Sequence, residues 1–194
     1  MGSDMLDNGK GSDIFWGEIA PCEHMVQIYA DNNVLLDSLE GFAGAGIEAG
    51  EGVIIIATEI HRNGLESRLR ARGLDLDAAR ASDQYIDLDA ADVLPRFMVR
   101  GWPDEQLFIS TIMNIIERAR GNGRRVRAFG EMVAILWGRG DQGATVRMEY
   151  LWHRLCETET FSLFCAYPRV GFTEHIEASI DVICSAHSRV IAGN

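Results

Sequence analysis

Short apolar runs alternate with stretches of helical period along this chain. Met25–Ala30 (MVQIYA) reads as a first strand. Asp31 then caps a helix carrying Val34, Leu35, Leu39 and Phe42 on one face, and the glycine-rich stretch Gly41–Gly52 is expected to end it. Val53–Thr58 (VIIIAT) is the clearest strand. It is β-branched and continuously apolar, the signature of burial on both faces in a parallel sheet. A helix follows from about Arg62 to Ala71, with Leu65 and Leu69 four apart and Gly73 as its stop. Gln84–Leu88 is a third strand, and Asp89 opens a helix through Leu94, Phe97 and Met98. Pro103 and Asp104 start another helix to Arg120, with Phe108, Ile112 and Ile115 inward. Val126–Phe129 is a fourth strand, followed by helical segments through Ile135 and Trp137 and then Ala144–Glu157. Phe161–Ala166 is a fifth strand and Thr173–Ser188 a final helix.

Parallel strands need long crossovers, and these connections are long enough to be helices. The pattern therefore predicts an α/β domain with a mainly parallel sheet flanked by helices in three layers. No repeat or low-complexity linker divides the 194 residues, so 21–194 reads as one domain behind a polar, flexible tail over 1–20. The uninterrupted apolar runs, such as Val53–Ala57 and Met132–Trp137, are far short of the roughly 20 residues of a membrane span. Met1–Gly17 has no apolar signal-peptide core. The expectation is a cytoplasmic protein without membrane contact.

Charge narrows the functions. The net charge is −11, from 29 acidic and 18 basic residues, which disfavours direct nucleic-acid binding. Lys10 is the only lysine, so no lysine nucleophile is expected in the folded part. Arg118, Arg120, Arg124, Arg125 and Arg127 form a basic cluster near a helix end, where cations are favoured; it reads as a solvated helix end.

In an open parallel sheet, ligands sit outside the carboxyl ends of the strands. The residues that follow each strand are Tyr29 and Asp31, then Thr58, Glu59, His61 and Arg62, then Asp89, then Gly130 and Glu131, then Tyr167, Pro168 and Arg169. Polar, titratable and aromatic groups thus recur at one rim. Each has a plainer reading. Asp31 and Asp89 suit helix N-caps, His61 and Arg62 suit an exposed helix start, and Glu131 suits a helix N-terminal charge. Tyr167 and Pro168 suit turn and packing roles.

Most catalytic and cofactor motifs are absent. After VIIIAT come Glu59–Gly64 (EIHRNG), without the glycines and Lys of a phosphate loop. Gly44, Gly46 and Gly50 precede a strand instead of following one, and read as a turn. There is no G-x-S-x-G elbow and no H-E-x-x-H. No cofactor is expected. Two thiol–imidazole pairs have metal-binding spacing, Cys22-x-His24 and Cys184-x-x-His187, but they lie at opposite ends of the chain. The competing reading is a buried Cys184 with exposed or capping histidines. Trp102, Trp137 and Trp152 offer either a partner or homodimer face or core packing; the core is expected for at least two of them.

Several strings resemble one family: HMVQIY (24–29), VIIIATEIHRN (53–63), LDA (88–90), FMVRGWPD (97–104), VRAFGEMVAILWG (126–138) and FSLFCAYP (161–168). Together they are similar to the MEDS domain, a methanogen/methylotroph sensory domain first named from a regulator of dichloromethane metabolism, over about 22–190. Glu59 stands where many relatives have Pro. The resemblance implies a fold like RecA-type and circadian-clock ATPases with a degenerate phosphate loop. It also implies a sensory role for small, hydrocarbon-derived molecules. Such domains are joined to DNA-binding domains or histidine kinases, or stand alone; with no appended effector, this one is expected to act on a protein partner such as a histidine kinase or transcription regulator. The leading expectation is a ligand held by Tyr29, His61, Arg62, Asp89, Glu131 and Tyr167. Its rivals are a relic ATPase with Glu131 as general base and Arg62 on phosphate, and a ligand-free interaction module.

Overall fold

The computed structural model describes residues 16–20, 22–169 and 187–191. Its framework is a six-stranded sheet in which every neighbouring pair is parallel. The strands are β1 (His24–Tyr29), β2 (Gly52–Ala57), β3 (Tyr85–Asp89), β6 (Val126–Gly130), β7 (Ser162–Pro168) and β8 (Arg189–Ile191), in the spatial order β3-β2-β6-β7-β1-β8. Between β3 and β6 lies a small antiparallel hairpin of β4 (Met98–Val99) and β5 (Trp102–Pro103). The expected parallel α/β fold is present, with one strand more than expected in the main sheet.

Helices cover both faces. On one lie α1 (Asn32–Glu48), α2 (Glu59–Ala71) and α3 (Leu76–Ala81), which bury Leu35, Leu39, Leu65, Leu69 and Leu76 against Val53, Ile55 and Phe164. On the other lie α4 (Ala90–Val93), α5 (Glu105–Arg120), α6 (Met132–Gly138) and α7 (Gln142–Thr158), with Phe108, Ile112, Met148 and Trp152 against Ile54, Ile56, Ala128 and Leu163. The odd residues of VIIIA face α1 and the even ones face α5. A strand covered on both sides has no use for alternating polarity, so β2 reads as one apolar run.

Three local expectations change. The glycine stretch does not end α1; the helix runs through Gly41, Gly44 and Gly46 to Glu48. Close approach accounts for it: a Cβ at Gly46 would stand 2.6 Å from Arg127 Cδ, and one at Gly41 2.3 Å from Trp16 Cδ1. Glycine costs about 1 kcal/mol of helix propensity per site and here lets neighbours pack onto the helix. The helix ahead of Leu65 starts at Glu59, not Arg62, with Thr58 as N-cap. The expected helix over Asp89–Met98 shortens to α4 and a 3-10 turn over Leu94–Phe97, and gives way to the hairpin. That hairpin turns on Arg100 and Gly101, with φ of 51° and 80°, the left-handed pair of a two-residue primed turn. The expected final helix over Thr173–Ser188 lies almost wholly outside the described residues; His187 and Ser188 precede β8. At the other end, Trp16 packs on Phe42 and Phe164, both at 5.8 Å between ring centroids, so the close of the expected tail is part of the core surface.

One charge network ties α2 and α3 to the outer strand. Glu66 accepts from Arg80 Nη2 at 2.6 Å and Arg70 Nε at 2.9 Å, while Arg80 Nε also donates to Asp87 Oδ1 at 2.8 Å. The Arg80 and Arg70 hydrogen bonds pull the Glu66 carboxyl down to about 2. A carboxyl depressed by folding stabilises above its unfolded value near 4.5 and loses that contribution as pH falls toward 2. The group is partly exposed, so its contribution is roughly 1 kcal/mol or less. Glu66→Gln should lower the melting temperature by no more than about 4 °C at neutral pH. The gap should shrink in about 1 M salt and close at the acid end, which thermal melts across pH would show.

Candidate functional site

After β2 the chain leaves toward α1's face of the sheet; after β6, its neighbour, it leaves toward α5's face. That reversal marks the carboxyl ends of β2 and β6 as the position where ligands sit in open α/β sheets. Glu131, the first residue after β6, lies there. Its backbone N–H donates to Ile56 O at 2.9 Å, which extends the pairing of the two strands past their ends. Its carboxylate accepts from Thr58 N at 2.7 Å and from Thr58 Oγ1 at 3.3 Å. His61 Nδ1 lies 2.8 Å from Glu131 Oε1. Glu131 is 4% exposed and His61 5%.

A carboxylate accepts, so the hydrogen of this bond sits on His61 Nδ1, and a neutral imidazole then offers Nε2 as an acceptor. That Nε2 is buried and has no hydrogen-bond partner among the described residues. Tyr29, at the end of β1, meets the imidazole edge to face at 6.1 Å. Burial, then the Glu131 charge, hold its hydroxyl above the ordinary tyrosine range. Beside this group, Arg62 Nη2 donates to Asp89 Oδ2 at 2.8 Å, while Asp89 Oδ1 caps α4 through Ala91 N at 2.8 Å. The Ala91 bond and the Arg62 pair hold the Asp89 carboxyl low. Asp31 caps α1 through Asn33 N at 2.7 Å. Tyr29, His61, Arg62, Asp89 and Glu131 thus share one rim.

Tyr167 does not share it. The strand runs to Pro168, and Leu163, Cys165 and Tyr167 all face α7. The Tyr167 hydroxyl donates to Glu149 Oε1 inside the core. Around Glu149 lies a second polar cluster. His24 Nε2 is 3.8 Å and His187 Nε2 3.5 Å from Glu149 Oε2, and His24 Nε2 is 3.6 Å from Cys165 Sγ. Burial and then His187 push the His24 imidazole down to about 3. Burial drives the Cys165 thiol and the Tyr167 hydroxyl up, with the Glu149 charge adding to both. Burial alone would also raise Glu149, but His187, His24 and Tyr167 together hold it below its usual value.

These four donor groups, His24, Glu149, Cys165 and His187, have ligand atoms within 4.8 Å of one another. Of the two pairs singled out by spacing, the histidines meet. Cys22 instead lies at the exposed surface, its thiol 3.9 Å from Glu159 O, and Cys184 is outside the described residues. Glu149 was not singled out in the sequence, although it sits on the same helix stripe as the buried Thr145, Met148 and Trp152. A charge on an apolar stripe is the signal that marks it. Trp137 and Trp152 are core residues, whereas Trp102 is 51% exposed.

A parallel sheet sandwiched by helices, with its polar groups gathered where the strand order reverses, defines a doubly wound α/β domain. The chain belongs to the family of the methanogen/methylotroph, DcmR sensory domain (MEDS), whose model matches residues 23–188. Its role is accordingly sensory. A search of the curated proteins gave no match to the chain. No helix among the described residues is long and apolar enough to cross a membrane.

Proposed function

We propose that this sensory domain binds a small molecule at the β2–β6 crevice, in the cytoplasm, and passes the resulting change to a protein partner such as a histidine kinase or transcription regulator. The observation that carries the reading is the buried, unpartnered Nε2 of His61, oriented by Glu131. A buried polar atom without a partner costs about 1–3 kcal/mol. A ligand hydroxyl or amine that donates to it recovers that loss, which makes the atom a recognition point. Tyr29 supplies an apolar wall and the Arg62–Asp89 pair a polar margin. Binding there favours one of two arrangements of the rim, and the partner reads the population.

The catalytic alternative finds less support. Both Glu131 oxygens already hold Thr58 and His61, which gives the carboxylate a positioning role. The exposed apolar surface of Val99, Trp102 and Ile109 is the face offered to a partner or to a second copy.

Thermal shift and calorimetry with a panel of short-chain alcohols, amines, carboxylates and ATP test the reading. A ligand at about 100 times its Kd contributes about 2.7 kcal/mol, which is roughly 5–10 °C in a domain of this size. The triple replacement of His61, Arg62 and Glu131 by Ala should abolish that shift. A panel that leaves the melting temperature unmoved, or a shift that survives the triple variant, overturns the assignment.

A further inference from the structure

We infer that His24, Glu149, Cys165 and His187 form a binding site for one tetrahedral divalent transition metal ion of the zinc type. The four come from separate parts of the fold: the first residue of β1, the middle of α7, the middle of β7 and the segment entering β8. All four are buried, and their donor atoms lie within 4.8 Å of one another. Around a tetrahedral ion with bonds of about 2.0–2.3 Å, donor atoms stand roughly 3.3–3.6 Å apart. Three of the six separations are 3.5, 3.6 and 3.8 Å, and the rest are no longer than 4.8 Å. An ion at the centre needs only small side-chain movements to gain all four ligands.

Two further features point to a ligand. Glu149 Oε2, buried and facing both imidazoles, has no hydrogen bond among the described residues, and a cation answers that carboxylate oxygen directly. Its other oxygen accepts from the Tyr167 hydroxyl, the kind of outer bond that fixes a ligating carboxylate. Two imidazoles, one thiolate and one carboxylate suit zinc or a neighbouring first-row ion and not magnesium or calcium. With four protein donors the site is closed, so the ion ties β8 and α7 to β1 and β7 instead of activating water. Binding takes up the ion and releases the thiol proton of Cys165. The site lies on the α7 face of the sheet, away from Tyr29, and rests on none of the observations behind the crevice.

Elemental analysis of the full chain as purified, followed by chelation and titration of the apo protein with Co²⁺ and Zn²⁺, tests the inference. One equivalent of metal per chain is expected. Co²⁺ should give the visible bands of a tetrahedral site and a thiolate charge-transfer band, and Zn²⁺ should displace it. Cys165→Ser should remove the charge-transfer band, and His187→Gln should weaken Co²⁺ binding about 100-fold or more. Tyr167→Phe should weaken it about 10-fold with the spectrum unchanged. Cys22→Ser should change nothing. The wild-type stoichiometry and spectrum decide the matter even if a ligand variant does not fold. Absence of bound metal together with no Co²⁺ bands, or a charge-transfer band that persists in Cys165→Ser, overturns the inference.

Discussion

Replacing Glu51 by Ala is expected to destabilise the domain by about 3–5 kcal/mol, the usual cost of stripping one partner from a buried ion pair. Arg127, on central strand β6, is only 3% exposed. Its guanidinium pairs with Glu51 through Nε and Nη2, and Nη1 donates to Phe42 O at 2.9 Å and Trp16 O at 3.1 Å. It also lies over the Phe42 ring at 5.3 Å. Burial lowers the Arg127 pKa while the Glu51 charge opposes the fall. Without Glu51 the carbonyls remain, but the charge has no counterion; Arg125 competes for the same carboxylate only from 3.8 Å. The melting temperature should drop by on the order of 10 °C. Removing both charges, as in Glu51→Leu with Arg127→Met, should recover most of the loss, since an apolar pair of similar volume often replaces a buried salt bridge at little cost. A double variant no more stable than Glu51→Ala alone would show that carbonyl capping, not charge pairing, dominates.

Arg127 also shows what the sequence could and could not reveal. Counted among Arg118, Arg120, Arg124 and Arg125, it looked like one more cation at a solvated helix end. Strand parity gives the correction: Val126 and Ala128 face α5, so Arg127 and Phe129 must face α1, and a central strand has no solvent side. The partner lies 76 residues away in sequence, and local pattern holds no record of such a distance. The same parity accounts for Tyr167. With the strand ended at Ala166, Tyr167 belonged to the rim; two further paired residues turn it into the α7 face beside Glu149. Long buried strands were legible because a continuous β-branched apolar run seldom occurs outside a strand covered on both faces. The two-residue hairpin was not, because Arg-Gly is a weaker turn signal than Asn-Gly. For the crevice, one rule sufficed: residues that follow parallel strands collect at one edge. It placed Tyr29, His61, Arg62, Asp89 and Glu131 together without a structure. Spacing marked Cys22-x-His24 and Cys184-x-x-His187 as separate pairs at opposite ends of the chain and held no sign that His24 and His187 meet; that meeting, and the arrival of Cys165 and Glu149, come from tertiary packing.

Glu131 carries the second large expectation, and its two simplest variants should behave differently. Glu131→Ala removes the acceptor of the Thr58 N–H, the Thr58 hydroxyl and His61 Nδ1 together. At about 1–3 kcal/mol for each buried group left without a partner, partly offset by water entering the space, a loss of about 2–4 kcal/mol is expected in denaturant melts. Glu131→Gln fills the same volume and should cost no more than about 1 kcal/mol. Its amide oxygen can still accept from Thr58 N, but its NH₂ then faces Nδ1 as a donor. That reverses the imidazole: Nδ1 becomes the acceptor and the proton moves to Nε2. Nitrogen-15 NMR of the histidine ring should therefore find the proton on Nδ1 in the wild type and on Nε2 in Glu131→Gln. A ligand that donates to Nε2 should lose its thermal shift in the Gln variant although the fold survives. Identical ring spectra in the two proteins would mean that Glu131 does not set the face His61 turns toward the crevice, and the recognition point would have to be sought elsewhere along the rim.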